Sequence, residues 1–332
     1  MKKTVVLWVL ACAPLALAQT KKIIVVGMPP AAIAEFQTAS PEARIVPVNE
    51  SSALAEAADA DAIFGTISPE LFHAARKLKW VQVYSAGVEN YLFPEFSKSD
   101  VVLTNCKIIQ GPEIADHAFA LLLALTRDLY QTIPSRAGQR SIRGSLRPIE
   151  LRGKTAVVVG VGGIGSQIAQ RAFAFGMTVI GVDPKDMPLN PYVNRMVYPD
   201  QIDTVLPLAD VVFISAPHTP QSEGMIGPRQ FELMKKGAYF IAVSRGKLYN
   251  TDALVKALDS RRLAGAGLDV TNPEPLPEGH PLWKFENVVI TPHIAGQSDN
   301  VPARRIELLK ENIARFVKGQ PLLNVVDKQK GY

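Results

Sequence analysis

The feature that most restricts the fold is Gly160-Val161-Gly162-Gly163-Ile164-Gly165, which lies between an apolar strand candidate, Thr155–Val159, and a helical stretch reaching Phe175. Glycine-rich turns are common, and the G-x-G-x-x-G spacing alone says little. Between a buried strand and a helix it says more. The glycines permit a tight turn and let backbone approach a pyrophosphate, which sits on the helix N-terminus. Asp183 ends the next strand candidate about twenty residues on, where an acid accepts hydrogen bonds from the adenosine ribose hydroxyls. Such an acid repels a 2′-phosphate, so NAD is the expected cofactor and NADP the less fitting one, with Lys185 close by moderating that preference.

Short apolar runs recur on both sides of this turn. Ile23–Val26, Arg44–Val48, Ala62–Phe64, Val81–Tyr84 and Val101–Thr104 form a first set of strand candidates. Thr155–Val159, Val179–Val182, Val211–Ser215, Tyr239–Val243, Ala266–Val270 and Val288–Thr291 form a second. Strands alternating with helical stretches imply parallel sheets. The fold expected is α/β, with two doubly wound parallel-sheet domains. Between the two sets, Pro112 to Tyr130 reads as one long helix, apolar nearly all round, and so buried between domains or against another subunit of a homodimer. Pro302 to Lys318 reads as an amphipathic helix.

The first eighteen residues differ from the rest. Lys2 and Lys3 precede an apolar run from Val5 to Leu17 and a small-x-small site, Ala16-Leu17-Ala18. This is the pattern of a cleaved export signal, too short for a stable membrane span, and it predicts a periplasmic protein; a cytoplasmic location is the alternative. Of the two cysteines only Cys106 lies beyond that segment, so an internal disulfide is excluded for the mature chain. The net charge is only +5 and no basic run is interleaved with aromatics, which gives no reason to expect nucleic acid as a partner. His73, His117, His218 and His280 form no pair with metal-ligand spacing, so no metal site is expected.

Chemistry is expected at the carboxyl ends of the later strands, where ligands bind in open α/β sheets. Arg245 follows one strand candidate, Asp269 and Glu274 a second, and His293 a third. A guanidinium, a carboxylate and an imidazole there suit reduction of a carbonyl beside a carboxylate. Arginine makes bidentate bonds to the substrate carboxylate and polarises the carbonyl. Histidine supplies the proton, and glutamate favours and orients the charged imidazole.

These segments resemble the D-isomer-specific 2-hydroxyacid dehydrogenase family. Val243-Ser-Arg-Gly246, Gly267-Leu-Asp-Val270 with Pro273-Glu-Pro275, and Thr291-Pro-His-Ile-Ala-Gly296 are similar to its three signature blocks, and the likeness runs from about Val81 to Asn324-Val-Val-Asp-Lys. The resemblance implies a Rossmann NAD-binding domain, residues 118–298, inserted into a flavodoxin-like substrate domain of residues 19–117 and 299–332. It implies Arg245, Glu274 and His293 as catalytic residues. Gly160, Gly162, Gly163, Ile164, Gly165, Asp183, Val243 and Asp269 would bind cofactor. Ala86, Gly87 and Val88, with Arg245, would hold a 2-oxo or 2-hydroxy acid. A silent NAD(H)-sensing protein of the same fold is the alternative function.

Overall fold

Segments rich in Val, Ile and Ala that are buried on both faces form parallel strands, and this chain makes two sheets of them. The computed structural model describes residues 20–139, 142, 144, 146–186 and 190–332, so the export reading of residues 1–18 lies outside the described residues. The strands are β1 (Lys21–Val26), β2 (Ala43–Val48), β3 (Ala62–Phe64), β4 (Trp80–Gln82), β5 (Val102–Thr104), β6 (Thr155–Val159), β7 (Thr178–Val182), β8 (Arg195–Val197), β9 (Val211–Ile214), β10 (Ala238–Ala242), β11 (Leu263–Leu268) and β12 (Val288–Ile290). The first five form a sheet in the order β2-β1-β3-β4-β5, and the other seven a sheet in the order β12-β11-β10-β9-β6-β7-β8. All strand pairings are parallel. Two doubly wound domains, one of them a Rossmann sheet, are therefore present, as expected.

Each sheet separates two apolar layers. In β1, Ile24 and Val26 face one layer while Ile23 and Val25 face the other. In β6, Val157 and Val159 are divided from Ala156 and Val158 in the same way. This two-sided burial is why the strands read as continuous apolar runs instead of alternating ones. The chain returns to the first sheet at its end. The Val301–Val317 helix sends Leu309 and Ile313 into the layer containing Ile23 and Phe36, and the Val326 amide donates to the Leu103 carbonyl at 2.9 Å.

Two expectations change. The stretch expected as one helix is two, Gly111–Thr126 and Leu129–Ser135, because Asp128 turns into the left-handed region at φ 56°. Aspartate tolerates that conformation, and its carboxylate accepts the Arg147 amide at 2.6 Å. Strand β8 was not expected. It is an edge strand of three residues in which only Val197 is buried, so no apolar run announces it. Among the described residues, no helix is long and apolar enough to cross a membrane.

In the second sheet the strand order reverses between β6 and β9, and the crevice outside their carboxyl ends is where a ligand fits such a fold.

Candidate active site

Strand β6 runs directly into the glycine turn. Gly160 takes φ 86°, and Gly162 caps the helix Gly163–Ala174. At Gly165 a Cβ would overlap the carbonyl oxygen of Gly160, so helix and strand end approach this closely only with glycine there. At Gly162, by contrast, a Cβ would meet nothing within 4 Å. This open space before the first helical turn, whose amides have no partner within the helix itself, fits a dinucleotide pyrophosphate. Ser215, just beyond β9, donates to the carbonyls of Val159 at 3.1 Å and Gly160 at 2.8 Å and so pins the turn.

Asp183 follows β7 as expected, but its carboxylate is occupied. Oδ2 accepts the Val161 amide at 2.9 Å and Oδ1 the Lys185 amide at 3.0 Å, and the residue is buried. It braces the glycine turn from the neighbouring strand.

The next three strand ends supply the charged groups. Val243 is buried directly after β10, its amide donating to Ile214, and Arg245 follows two residues later. Beyond β11 the chain passes Asp269 and reaches Glu274, while beyond β12 it reaches His293. His293 Nδ1 lies 2.6 Å from Glu274 Oε1, with both side chains about two-fifths exposed (42% and 40%). An ionised carboxylate only accepts hydrogen bonds, so Nδ1 carries the proton of this bond. Nε2 is thereby the ring nitrogen that Glu274 does not engage.

His293 is held by its backbone. It adopts φ 54°, and its amide donates to the carbonyls of Asp269 and Thr291 at 2.9 and 3.0 Å. The fully enclosed Asp269 carboxylate accepts Thr291 Oγ1 at 2.6 Å and the amides of Ile294 and Ala295 at 2.9 Å each. It therefore clamps both flanks of the His293 loop. His117, on the Gly111–Thr126 helix, joins the cluster with Nε2 at 2.8 Å from Thr291 Oγ1. For Asp269→Asn we expect a loss of about 2–4 kcal/mol, because an amide NH2 meets a backbone N–H where a carboxylate had accepted one. Turnover should fall as the loop shifts. Urea denaturation with steady-state kinetics checks this, and an unchanged unfolding midpoint would refute the clamp.

From the first sheet comes the loop after β4. Asn105 Nδ2 donates to the Ala86 carbonyl at 2.6 Å, Ser85 Oγ donates to the Gly87 carbonyl at 2.6 Å, and Val88 is buried. The loop meets Arg245 through a residue that the motif reading missed. Glu89 Oε1 accepts Arg245 Nε at 2.5 Å, and Arg245 Nη1 donates to the Ser244 carbonyl at 2.7 Å. Burial by itself would raise the Glu89 carboxyl, but the charge and hydrogen bond of Arg245 outweigh it and hold the group below the usual carboxylate range. An acid two residues after Gly87, in a loop read as carboxylate-binding, is a local contradiction that signals a cation opposite. Arg245 pairs with Glu89 and His293 with Glu274. They are linked through adjoining loops, since a Cβ at Gly246 would overlap the Thr271 carbonyl and the Thr271 amide approaches Glu274 Oε2 at 3.4 Å. Among the described residues, no group of three or more His, Cys, Asp or Glu is arranged to hold a metal ion.

Residues 119–295, more than half of the chain, match the sequence profile described as "D-isomer specific 2-hydroxyacid dehydrogenase, NAD binding domain". The chain belongs to that family. Its place there is among oxidoreductases that interconvert 2-oxo and 2-hydroxy acids with a nicotinamide cofactor. A glyoxylate reductase of Thermofilum pendens is 35% identical over 268 residues, covering 79% of each chain. A D-isomer specific 2-hydroxyacid dehydrogenase of Xanthobacter autotrophicus, solved with NADPH and MES, superposes with a TM-score of 0.81 at 25% identity, covering 95% of this chain and 100% of the other. An NADPH-dependent glyoxylate/hydroxypyruvate reductase of Sinorhizobium meliloti, solved with NADP and sulfate, does so with a TM-score of 0.80 at 25% identity and the same coverage.

These two structures overturn the expectation that NADP is the less fitting cofactor. The argument from Asp183 assumed a carboxylate free to meet the ribose. Here both its oxygens accept backbone amides, which hold the carboxylate against the glycine turn.

Proposed function

We propose that this chain interconverts a 2-oxo acid and the corresponding D-2-hydroxy acid by hydride transfer, with His293 as the acid and base at the reacting oxygen. The observation that carries the reading is the His293–Glu274 pair at 2.6 Å, beyond the carboxyl ends of the sheet that bears the glycine turn. In this reading the cofactor unit spans residues 118–298 and the substrate unit residues 19–117 with 299–332.

The turn Gly160, Gly162, Gly163, Ile164 and Gly165, braced by Asp183, would hold the dinucleotide, with Val243 and Asp269 supporting the loops that would face it. When bound, it supplies hydride to the substrate carbon or accepts it. Arg245 and the backbone amides of Ala86, Gly87 and Val88 bind the substrate carboxylate, and the guanidinium draws electron density from the adjacent carbonyl. In reduction, His293 Nε2 delivers its proton to the carbonyl oxygen as the carbon is reduced. In oxidation it takes the hydroxyl proton. Glu274 holds the ring in register through Nδ1 in both directions.

The decisive assay follows oxidation of NADH and of NADPH with glyoxylate, hydroxypyruvate, pyruvate and larger 2-oxo acids, with chiral analysis of the product. We expect oxidation that depends on the acid and a D-configured product. Binding of reduced cofactor without turnover of any acid in the panel would replace this reading with a silent sensor.

A further inference from the structure

The Arg245 guanidinium is matched by a carboxylate of the protein itself. Glu89 Oε1 occupies Nε at 2.5 Å and the Ser244 carbonyl occupies Nη1 at 2.7 Å. Nη2 is aimed at Gly87, where a Cβ would overlap it and would lie 2.7 Å from Glu89 Oε2. The second Glu89 oxygen and the remaining guanidinium nitrogen therefore border the same loop residue. The other side chain acting on Glu89 is His218, whose Nε2 is 3.1 Å from Glu223 Oε2. The cation read as receiving the substrate carboxylate is thus electrically balanced. A monoanion adds one negative charge to a neutral pair. A dianion adds a second with the guanidinium charge already spent and a carboxylate oxygen beside it.

We infer that Glu89 fixes the orientation of Arg245 and restricts the site to 2-oxo acids whose remaining substituent carries no negative charge. The positioning part follows from geometry. With Nε and Nη1 tied, the guanidinium plane is locked, and Nη2 is presented to the Gly87 loop without a search among rotamers. The selection part follows from charge. Like charges within about 10 Å at an effective dielectric near 20 repel enough to change a preference about tenfold. This inference rests on the substrate reading of Arg245 and the Gly87 loop given above.

Glu89→Gln keeps the shape and an oxygen for Nε but removes the charge. The test compares kcat/KM for pyruvate and oxaloacetate in the wild-type chain, Glu89→Gln and Glu89→Asp. Affinity for oxamate, a monoanionic pyruvate mimic, is measured calorimetrically with reduced cofactor present. We expect the wild type to favour pyruvate and Glu89→Gln to raise the oxaloacetate-to-pyruvate ratio about tenfold or more, whatever it does to the absolute rates. Glu89→Asp should return the ratio towards the wild-type value. A residue that only supports the loop would lower both substrates by one factor, and an unchanged ratio would overturn the inference while leaving the substrate site intact. Failure of the wild-type chain to bind oxamate would remove the substrate reading itself, and this inference with it.

Discussion

Replacing His293 by Asn should lower turnover about 10³-fold, within the span of general acid–base effects, while affinity for the reduced dinucleotide changes less than about threefold. Asparagine is the informative choice because His293 sits at φ 54°, a conformation that asparagine adopts readily and alanine resists. The amide that donates to Asp269 and Thr291 is then kept, and so is the loop held by the Asp269 carboxylate. What disappears is a ring that bonds Glu274 through one nitrogen while holding a proton on the other. Steady-state kinetics and a fluorescence titration of the cofactor separate the two effects. Retained turnover with normal cofactor binding would remove His293 from proton transfer. A parallel loss of cofactor affinity would show instead that the loop had moved.

What the sequence made legible was whatever local pattern determines. Parallel strands buried on both faces appear as apolar runs, so eleven of the twelve strands among the described residues fall where such runs occur. The exception is β8, whose arginine and methionine are exposed. The glycine turn was legible because only glycine permits contacts such as that between Gly165 and the Gly160 carbonyl. Glu274 and His293, 19 residues apart, were linked by motif, and they meet because adjacent parallel strands end side by side. Other features depend on which way a side chain turns. Asp183 occupies the position expected of it, yet its oxygens bond backbone; residue type and spacing do not encode that choice. Glu89 and Arg245 are 156 residues apart and lie in loops that follow strands of different sheets, so no local pattern encodes their pairing. The break at Asp128 was hidden because aspartate, unlike glycine, does not announce a left-handed turn by its residue type.

Changing Arg245 to Lys should reduce kcat/KM about 10²–10³-fold with little effect on cofactor affinity. A lysine keeps the charge but loses the planar fork that serves Glu89, the Ser244 carbonyl and the Gly87 loop together. Arg245→Ala should be worse, because it also leaves Glu89, only about one quarter exposed (27% of its side chain), without its cation. We expect that variant to lose about 1–2 kcal/mol of stability near neutral pH, a figure reduced for the solvent that still reaches the pair. The pH sign follows from the depressed Glu89 carboxyl. The stabilisation is fully present above the unfolded carboxylate value, about 4.3, and is lost as pH falls through the lower folded value, so wild type and Arg245→Ala should converge in stability in strong acid. Combining Arg245→Ala with Glu89→Gln divides the two roles of the arginine. Stability should recover at neutral pH, since no unpaired charge remains, while turnover stays low, since nothing replaces the guanidinium at the substrate carboxylate. Urea midpoints across pH, with kcat/KM for pyruvate, measure both quantities. Recovery of turnover in the double variant would mean that Arg245 serves chiefly to neutralise Glu89, and its assignment to the substrate would then fail.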